Sequence, residues 1–346
     1  MPSARRTTLT IAAATSLALT LTACGAAADQ TPENPDRVQV LASFYPLQYV
    51  AEEIGGDLVE VTNLTPPAAE PHDLELSPAQ VRRVGDADLV VYLSDFQPAV
   101  DEAVEARDAN ALDAAESAHL ESSPNGEAAT DAAEQVDEAD DDHSGETEEE
   151  HAEHADEAEA TTESGSETED EHDHGINDPH FWLDPTRLAD VATAVEAELS
   201  AVDPENADEY SANLDELVGE LTALDEDYST ALADCAGAAL VTSHEAFGYL
   251  AERYDLVQVG LAGVDPQNEP SPARLREIRD VVEEYGVTTV FSETNASSKV
   301  AETFADDVGV DTAVLDPLET QNDDSLDYVD VMESNLQALE AGLVCS

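Results

Sequence analysis

The stretch "DPENADEYSANLDELVGELTALDEDYSTAL" runs from Asp203 to Leu232. Asp203 precedes Pro204, a helix cap followed by a proline in the first turn. Tyr210, Leu214, Leu217, Leu221, Leu224, Tyr228 and Leu232 then recur every three or four residues. That is the period of one helical face. The spacing predicts a single helix of about 28 residues, long against a mean of roughly 12. At 1.5 Å per residue it spans about 40 Å. A rod of that length can tie two lobes rigidly together.

Upstream of it the chain alternates. "VQVLASF" reads as a strand and "PLQYVAEEIGG" as a helix closed by glycine. "LVEVTNL" is a second strand, "SPAQVRRVGDA" a helix capped by Ser77 with Pro78 in its first turn, and "DLVVYLS" a third strand. This β-α-β-α-β rhythm predicts a parallel sheet wrapped by helices. Just before the long helix, Leu188, Val191, Val195 and Leu199 fall on one helical face. Downstream a second series follows. "GAALVTS", "LVQVGLAG", "VTTVFSE" and "VDTAVLDPL" read as strands. "HEAFGYLAERY", "ARLREIRDVVEEYG" and "SSKVAETFADDVG" read as helices between them. The fold class is α/β, with two lobes joined by one long connecting helix.

From 121 to 178 the rhythm stops. No lysine or arginine occurs between Arg107 and Arg187, and acidic, small and polar residues dominate. Such a segment buries too little apolar surface to offset its ordering entropy, so the composition predicts a disordered acidic insertion. It carries His143, His151, His154, His172 and His174. Two readings of these imidazoles stay open: weak, mobile metal sites, or bystanders in a solvated spacer.

The 346 residues carry 80 acids against 12 bases, a formal charge of -68, with Lys299 the sole lysine. That surface repels phosphate backbones and excludes nucleic acid as a partner. Residues 1–23 read as a signal peptide: Arg5 and Arg6, an apolar run of h-region length, then Leu21-Thr22-Ala23 before Cys24. "LTAC" resembles a bacterial lipobox, which implies a lipidated Cys24, a tether over 24–37 and a location on the outer face of the cytoplasmic membrane. Export by the general secretory route and by the twin-arginine route both fit the paired arginines. Cys235 and Cys345 then remain. In an oxidising compartment they read as one disulfide, with two free thiols the competing reading. The domain plan is an N-terminal lobe at 38–202 containing the insertion, the connecting helix at 203–234 and a C-terminal lobe at 235–346. The chain reads as a monomer.

Four residues share one predicted context. His72 in "AEPHDLELSP" follows the second strand, and His180 in "DPHFWLDP" sits at the return to order. His244 in "VTSHEAFGYL" follows the second lobe's first strand, and Asp316 in "VLDPL" follows its last. Open parallel sheets bind ligands at the carboxyl ends of their strands. Two such lobes face to face would gather all four side chains. Three imidazoles and a carboxylate complete a tetrahedral Zn²⁺ site, and that donor set suits zinc better than magnesium or calcium. Any one of these histidines alone reads equally as a hydrogen-bonded core residue, and Asp316 alone as a turn residue before Pro317.

"SFYPLQYVAEEIGG", "PHDLELSP", "DPHFWLDP", "SHEAFGYLAERY" and "VLDPL" together resemble the solute-binding proteins of zinc and manganese ABC transporters, the cluster with a rigid connecting helix. The resemblance implies two α/β lobes with a metal between them, and delivery of the ion to a membrane permease driven by an ATPase. It implies His72, His180, His244 and Asp316 as ligands, and no catalytic residues. Manganese members tend to carry a carboxylate at the third position, so His244 points to zinc over manganese. Zinc members often carry an acidic, histidine-rich loop, and the loop here is more acidic than histidine-rich. Two rivals stay in view. A zinc hydrolase would need an open coordination position and a base, for which only Glu245 presents itself; an adhesin or purely structural metalloprotein would share the anchor.

Overall fold

The computed structural model describes residues 37–67, 69–121, 177–293 and 298–345. The signal peptide, Cys24 and His143, His151, His154, His172 and His174 lie outside the described residues.

The first lobe begins with β1 (Val38–Ala42), α1 (Tyr45–Gly55) and β2 (Val59–Asn63). It continues through α2 (Pro78–Asp86), β3 (Leu89–Tyr92), α3 (Pro98–Arg107), β4 (Ala111–Asp113) and α4 (Ala115–Ala118). Its four strands are all parallel, in the order β2-β1-β3-β4. Short apolar strands covered on both faces are the signature of a parallel sheet, and Val40, Leu41, Ala42, Leu89, Val90 and Val91 are all buried. Local signals place the helices. Ser77 and Gln80 form a reciprocal capping box at α2, with Pro78 at its first helical position. β4 has only three residues, too few for an alternating pattern to register in the sequence.

A 3₁₀ turn (Phe181–Leu183) leads into α5 (Pro185–Val202), capped by Asp184. Leu188, Val191, Val195 and Leu199 are fully buried along it. The connecting helix α6 is Ala207–Ala231, 25 residues. It starts later than its capping signal because Asp203 closes a turn of its own, its carboxylate accepting from the Asn206 amide at 2.6 Å and the Tyr210 hydroxyl at 3.0 Å. Tyr210, Leu217, Leu221, Leu224 and Tyr228 are buried, as the spacing predicts, while Leu214 is half-buried and Leu232 caps the helix end.

The second lobe comprises β5 (Ala239–Thr242), α7 (Gly248–Arg253), β6 (Val257–Gly260), α8 (Pro272–Tyr285) and β7 (Thr289–Glu293). α9 (Ser298–Val308), β8 (Asp311–Leu315) and α10 (Tyr328–Gly342) complete it. Its sheet repeats the first lobe's topology, parallel in the order β6-β5-β7-β8. α6 bonds to both lobes. Asn213 donates to the Ile54 carbonyl of α1 at 2.9 Å, and the Tyr228 hydroxyl donates to the Met332 carbonyl of α10 at 2.7 Å. Arg253 of α7 grips Asp225 of α6 with two bonds of 2.8 and 2.7 Å. One apolar cluster runs unbroken from Phe44 and Leu47 through Trp182 and Leu221 to Leu318 and Tyr328, so the lobes share a core.

Candidate metal centre

The helix expected to begin at His244 begins at Gly248 instead. The reason is that the backbone of His244 is already committed. Its N–H donates to Glu293 Oε1 at 3.0 Å, and its carbonyl accepts from the Thr242 hydroxyl at 2.6 Å and the Gln258 amide at 3.2 Å. The imidazole therefore stands at the end of β5, out of any helix. Its Nδ1 bonds the Glu293 carboxylate at the end of β7. A ring whose Nδ1 faces a carboxylate presents Nε2 to whatever lies opposite.

His180 is built the same way. Its backbone N–H and its Nδ1 both bond Asp178 Oδ1, at 2.9 and 2.6 Å. His72 follows Pro71, whose carbonyl accepts from the buried Gln97 amide at 3.2 Å. Its N–H donates to Glu70 at 3.2 Å, and its ring stands edge-on to Phe96 with centroids 4.7 Å apart.

All three Nε2 atoms face one carboxylate oxygen, Glu319 Oε1. The separations are 3.2 Å from His180, 3.4 Å from His244 and 3.6 Å from His72. His72, His180 and Glu319 satisfy the mutual spacing of a metal-holding group, and the His244 ring stands edge-on to His180 with centroids 5.3 Å apart. The Nε2 atoms of His72 and His244 are buried without a hydrogen-bond partner. Buried polar atoms seldom go unpaired unless something else satisfies them. The three separations from Glu319 match the edges, about 3.4 Å, of a tetrahedron with bonds of about 2.1 Å, although His244 falls outside the group whose donor atoms all lie within 4.8 Å of one another.

Asp316 is not brought into this cluster. It does follow β8 directly, but its carboxylate accepts from the Leu318 N–H at 2.8 Å and the Asn322 amide at 3.1 Å. Asn335 holds its backbone on both sides, at 2.8 Å each. An aspartate bonding the N–H two residues on is a turn former. Leu318 then adopts φ +58°, which reverses the chain and aims Glu319, 2% exposed, into the cleft. The strand-end acid expected as the fourth donor is Asp316, whereas the acid that faces the imidazoles is Glu319, three residues later. The Asp-Pro pair, itself a turn signal, was the available warning.

The neighbouring charges outweigh burial at three of these groups. Burial opposes charge on His180, but Asp178 and Glu319 outweigh it and raise its pKa. Burial likewise opposes charge on His244, yet Glu293 and Glu319 push it up to about 10. Burial alone would raise Glu319; the three imidazoles facing its carboxylate outweigh it and hold it well below the usual carboxylate range. A cavity of about 430 Å³ opens beside His244, lined in part by Glu70, Ser243, Gln267, Asn268 and Glu269. Glu245 turns away into a pair with Arg274 at 3.1 Å.

Residues 40–342 match the family described as "Zinc-uptake complex component A periplasmic". The chain belongs to that family. The high-affinity zinc uptake system protein ZnuA of Bacillus subtilis is 32% identical over 341 residues, covering 94% of each chain. The zinc-binding protein AdcA of Streptococcus pyogenes serotype M3 is 33% identical over 309 residues, 88% of this chain and 55% of that protein. The chain thus spans about half the length of the AdcA relatives it matches. Among solved structures, the laminin-binding protein Lmb of Streptococcus agalactiae aligns with a TM-score of 0.69 and 27% identity, covering 88% of this chain and 99% of that one. It is described as bifunctional, with adhesin and metal-transporting activity. Among the described residues no helix is long and apolar enough to cross a membrane.

Proposed function

We infer that the chain captures Zn²⁺ between its lobes and hands it to the permease of an ATP-driven uptake system. His72, His180, His244 and Glu319 are the ligands in this reading, and a lipid on Cys24 holds the protein at the outer face of the membrane. The observation that carries it is the convergence of three imidazole Nε2 atoms on one carboxylate oxygen at 3.2–3.6 Å. Four protein donors close a tetrahedral zinc site, whereas a hydrolase keeps one position open for water. Three nitrogen donors favour zinc over manganese, which prefers oxygen-rich sites. An adhesive role needs no such cluster.

The test is zinc affinity, measured by competition with a chromophoric chelator, for the parent chain and two variants. Glu319→Gln should weaken binding at least about 10-fold. Asp316→Asn should leave it within about 2-fold, because Asp316 serves the turn. The reverse order would move the fourth ligand back to Asp316, and a parent chain without a tight zinc site would end the reading.

A further inference from the structure

We propose that Tyr249, from the opposite lobe, and Arg187, from His180's own lobe, are positioning residues that fix the His180 imidazole for metal, acting through Asp178. This rests on His180 being a zinc ligand, as inferred above.

Asp178 orients His180 through one oxygen, which takes bonds from both the His180 N–H and Nδ1. That carboxylate can aim a ring only as well as its own backbone is held. Its backbone is held at both polar groups. The Asp178 N–H donates to the Glu121 carbonyl at 2.9 Å. The Asp178 carbonyl accepts from the Tyr249 hydroxyl at 2.8 Å, and the same hydroxyl accepts from the Glu121 N–H at 2.8 Å. Pro179 follows, so the next φ is fixed by its ring. Tyr249 belongs to α7 of the second lobe and is 1% exposed, so this hydroxyl reaches across the interface to a ligand's partner in the first lobe.

Arg187, in the first turn of α5, holds the other members of the knot. Its guanidinium carbon lies 4.5 Å from the Tyr249 ring centroid. Its amino groups donate to the Ala118 and His119 carbonyls and to Glu121 at 2.6 Å. It also lies within 3.5 Å of Asp184 and 3.8 Å of Glu252 of α7. A planar fork over a ring serves both stacking and several acceptors; lysine cannot do both. The consequence is that His180 is aimed correctly only while the lobes are packed as they are here. The ligand geometry and the pairing of the lobes are one event.

The experiment uses the full chain and Tyr249→Phe, which keeps the ring and its stacking and removes only the hydroxyl. Arg187→Lys is the second variant, and Tyr254→Phe, whose hydroxyl bonds Asp225 of α6 at 3.1 Å, is the control. Zn²⁺ affinity and the visible absorption of the Co²⁺-loaded protein are read for each. Co²⁺ bands report ligand geometry and do not respond to a simple loss of stability. Tyr249→Phe should bind zinc about 3–10-fold more weakly with shifted Co²⁺ bands, and Arg187→Lys should shift them in the same sense. Tyr254→Phe should match the parent. Parent-like affinity and bands in Tyr249→Phe would overturn the proposal, as would weaker binding with unshifted bands. If Tyr249→Phe does not fold, Arg187→Lys decides by the same criteria. A parent chain whose zinc binding survives His180→Ala would instead sink the site reading, a different outcome from failure of the latch.

Discussion

At Glu319 one oxygen faces three imidazoles inside the protein, and in the proposed site protons and zinc compete for the same Nε2 atoms. His244 illustrates the consequence. Its pKa rises from the ordinary 6.5 to about 10 against the effect of burial, because Glu293 and Glu319 favour the imidazolium. A raised folded-state pKa stabilises the fold fully below 6.5, and that contribution fades as pH climbs to about 10. The metal-free protein should therefore lose melting temperature across that window, while the zinc-loaded protein should not, the ion having replaced the proton. Zinc uptake at neutral pH must then release protons. Calorimetric titration in buffers of different ionisation enthalpy measures this: the apparent binding enthalpy should change with the buffer. An enthalpy independent of buffer would show that the imidazoles are already neutral.

Among the elements, α6 carries the most weight. Leu221 lies at its middle, 1% exposed, in the cluster that joins both lobes. Leu221→Ala should cost about 2–5 kcal/mol of stability, read as a lower denaturant midpoint. A cost under about 1 kcal/mol would mean that the helix is a passive strut. The periodicity of α6 was fully legible because each apolar residue repeats with the helix's own pitch. β4 was not legible, since a three-residue strand is defined by its partner β3 and not by its own pattern. Nor was the start of α7: His244 to Phe247 look helical until Glu293, 49 residues away, claims the His244 N–H.

For the whole molecule, two long-range connections make predictions. The Cys235 and Cys345 sulfurs lie 1.90 Å apart across a sequence separation of 110. Replacing both with serine should lower stability by about 2–5 kcal/mol, with zinc affinity retained because neither residue touches the cluster. An unchanged melting temperature for the double variant would favour free thiols in the native protein. The second connection is Glu121 to Asp178, whose backbones bond at 2.9 Å. Since those residues already meet, deleting residues 122–176 should leave one tight zinc site, as His72, His180, His244 and Glu319 all lie outside the deletion. Calorimetry on both chains checks it, and any weaker sites carried by the acidic segment should vanish. Loss of the tight site would mean that a ligand comes from inside the deleted segment.

Helix period, capping pairs and apolar strands of β1, β3, β5 and β7 are short-range properties, and the sequence by itself determined them. With them came the two-lobe plan, the long α6 and the candidacy of His72, His180 and His244. The choice between Asp316 and Glu319 was not short-range. Asp316 is spent on a turn that Asn335 of α10 clamps, and Glu319 reaches the cleft because Leu318 takes a left-handed backbone that leucine normally avoids. Burial of Leu318 in the shared core, with Trp182 bonding the Pro317 carbonyl from the other lobe at 2.7 Å, holds that turn in place. Local propensity disfavours such a conformation, so only the packing of the two lobes could decide which acid meets the histidines.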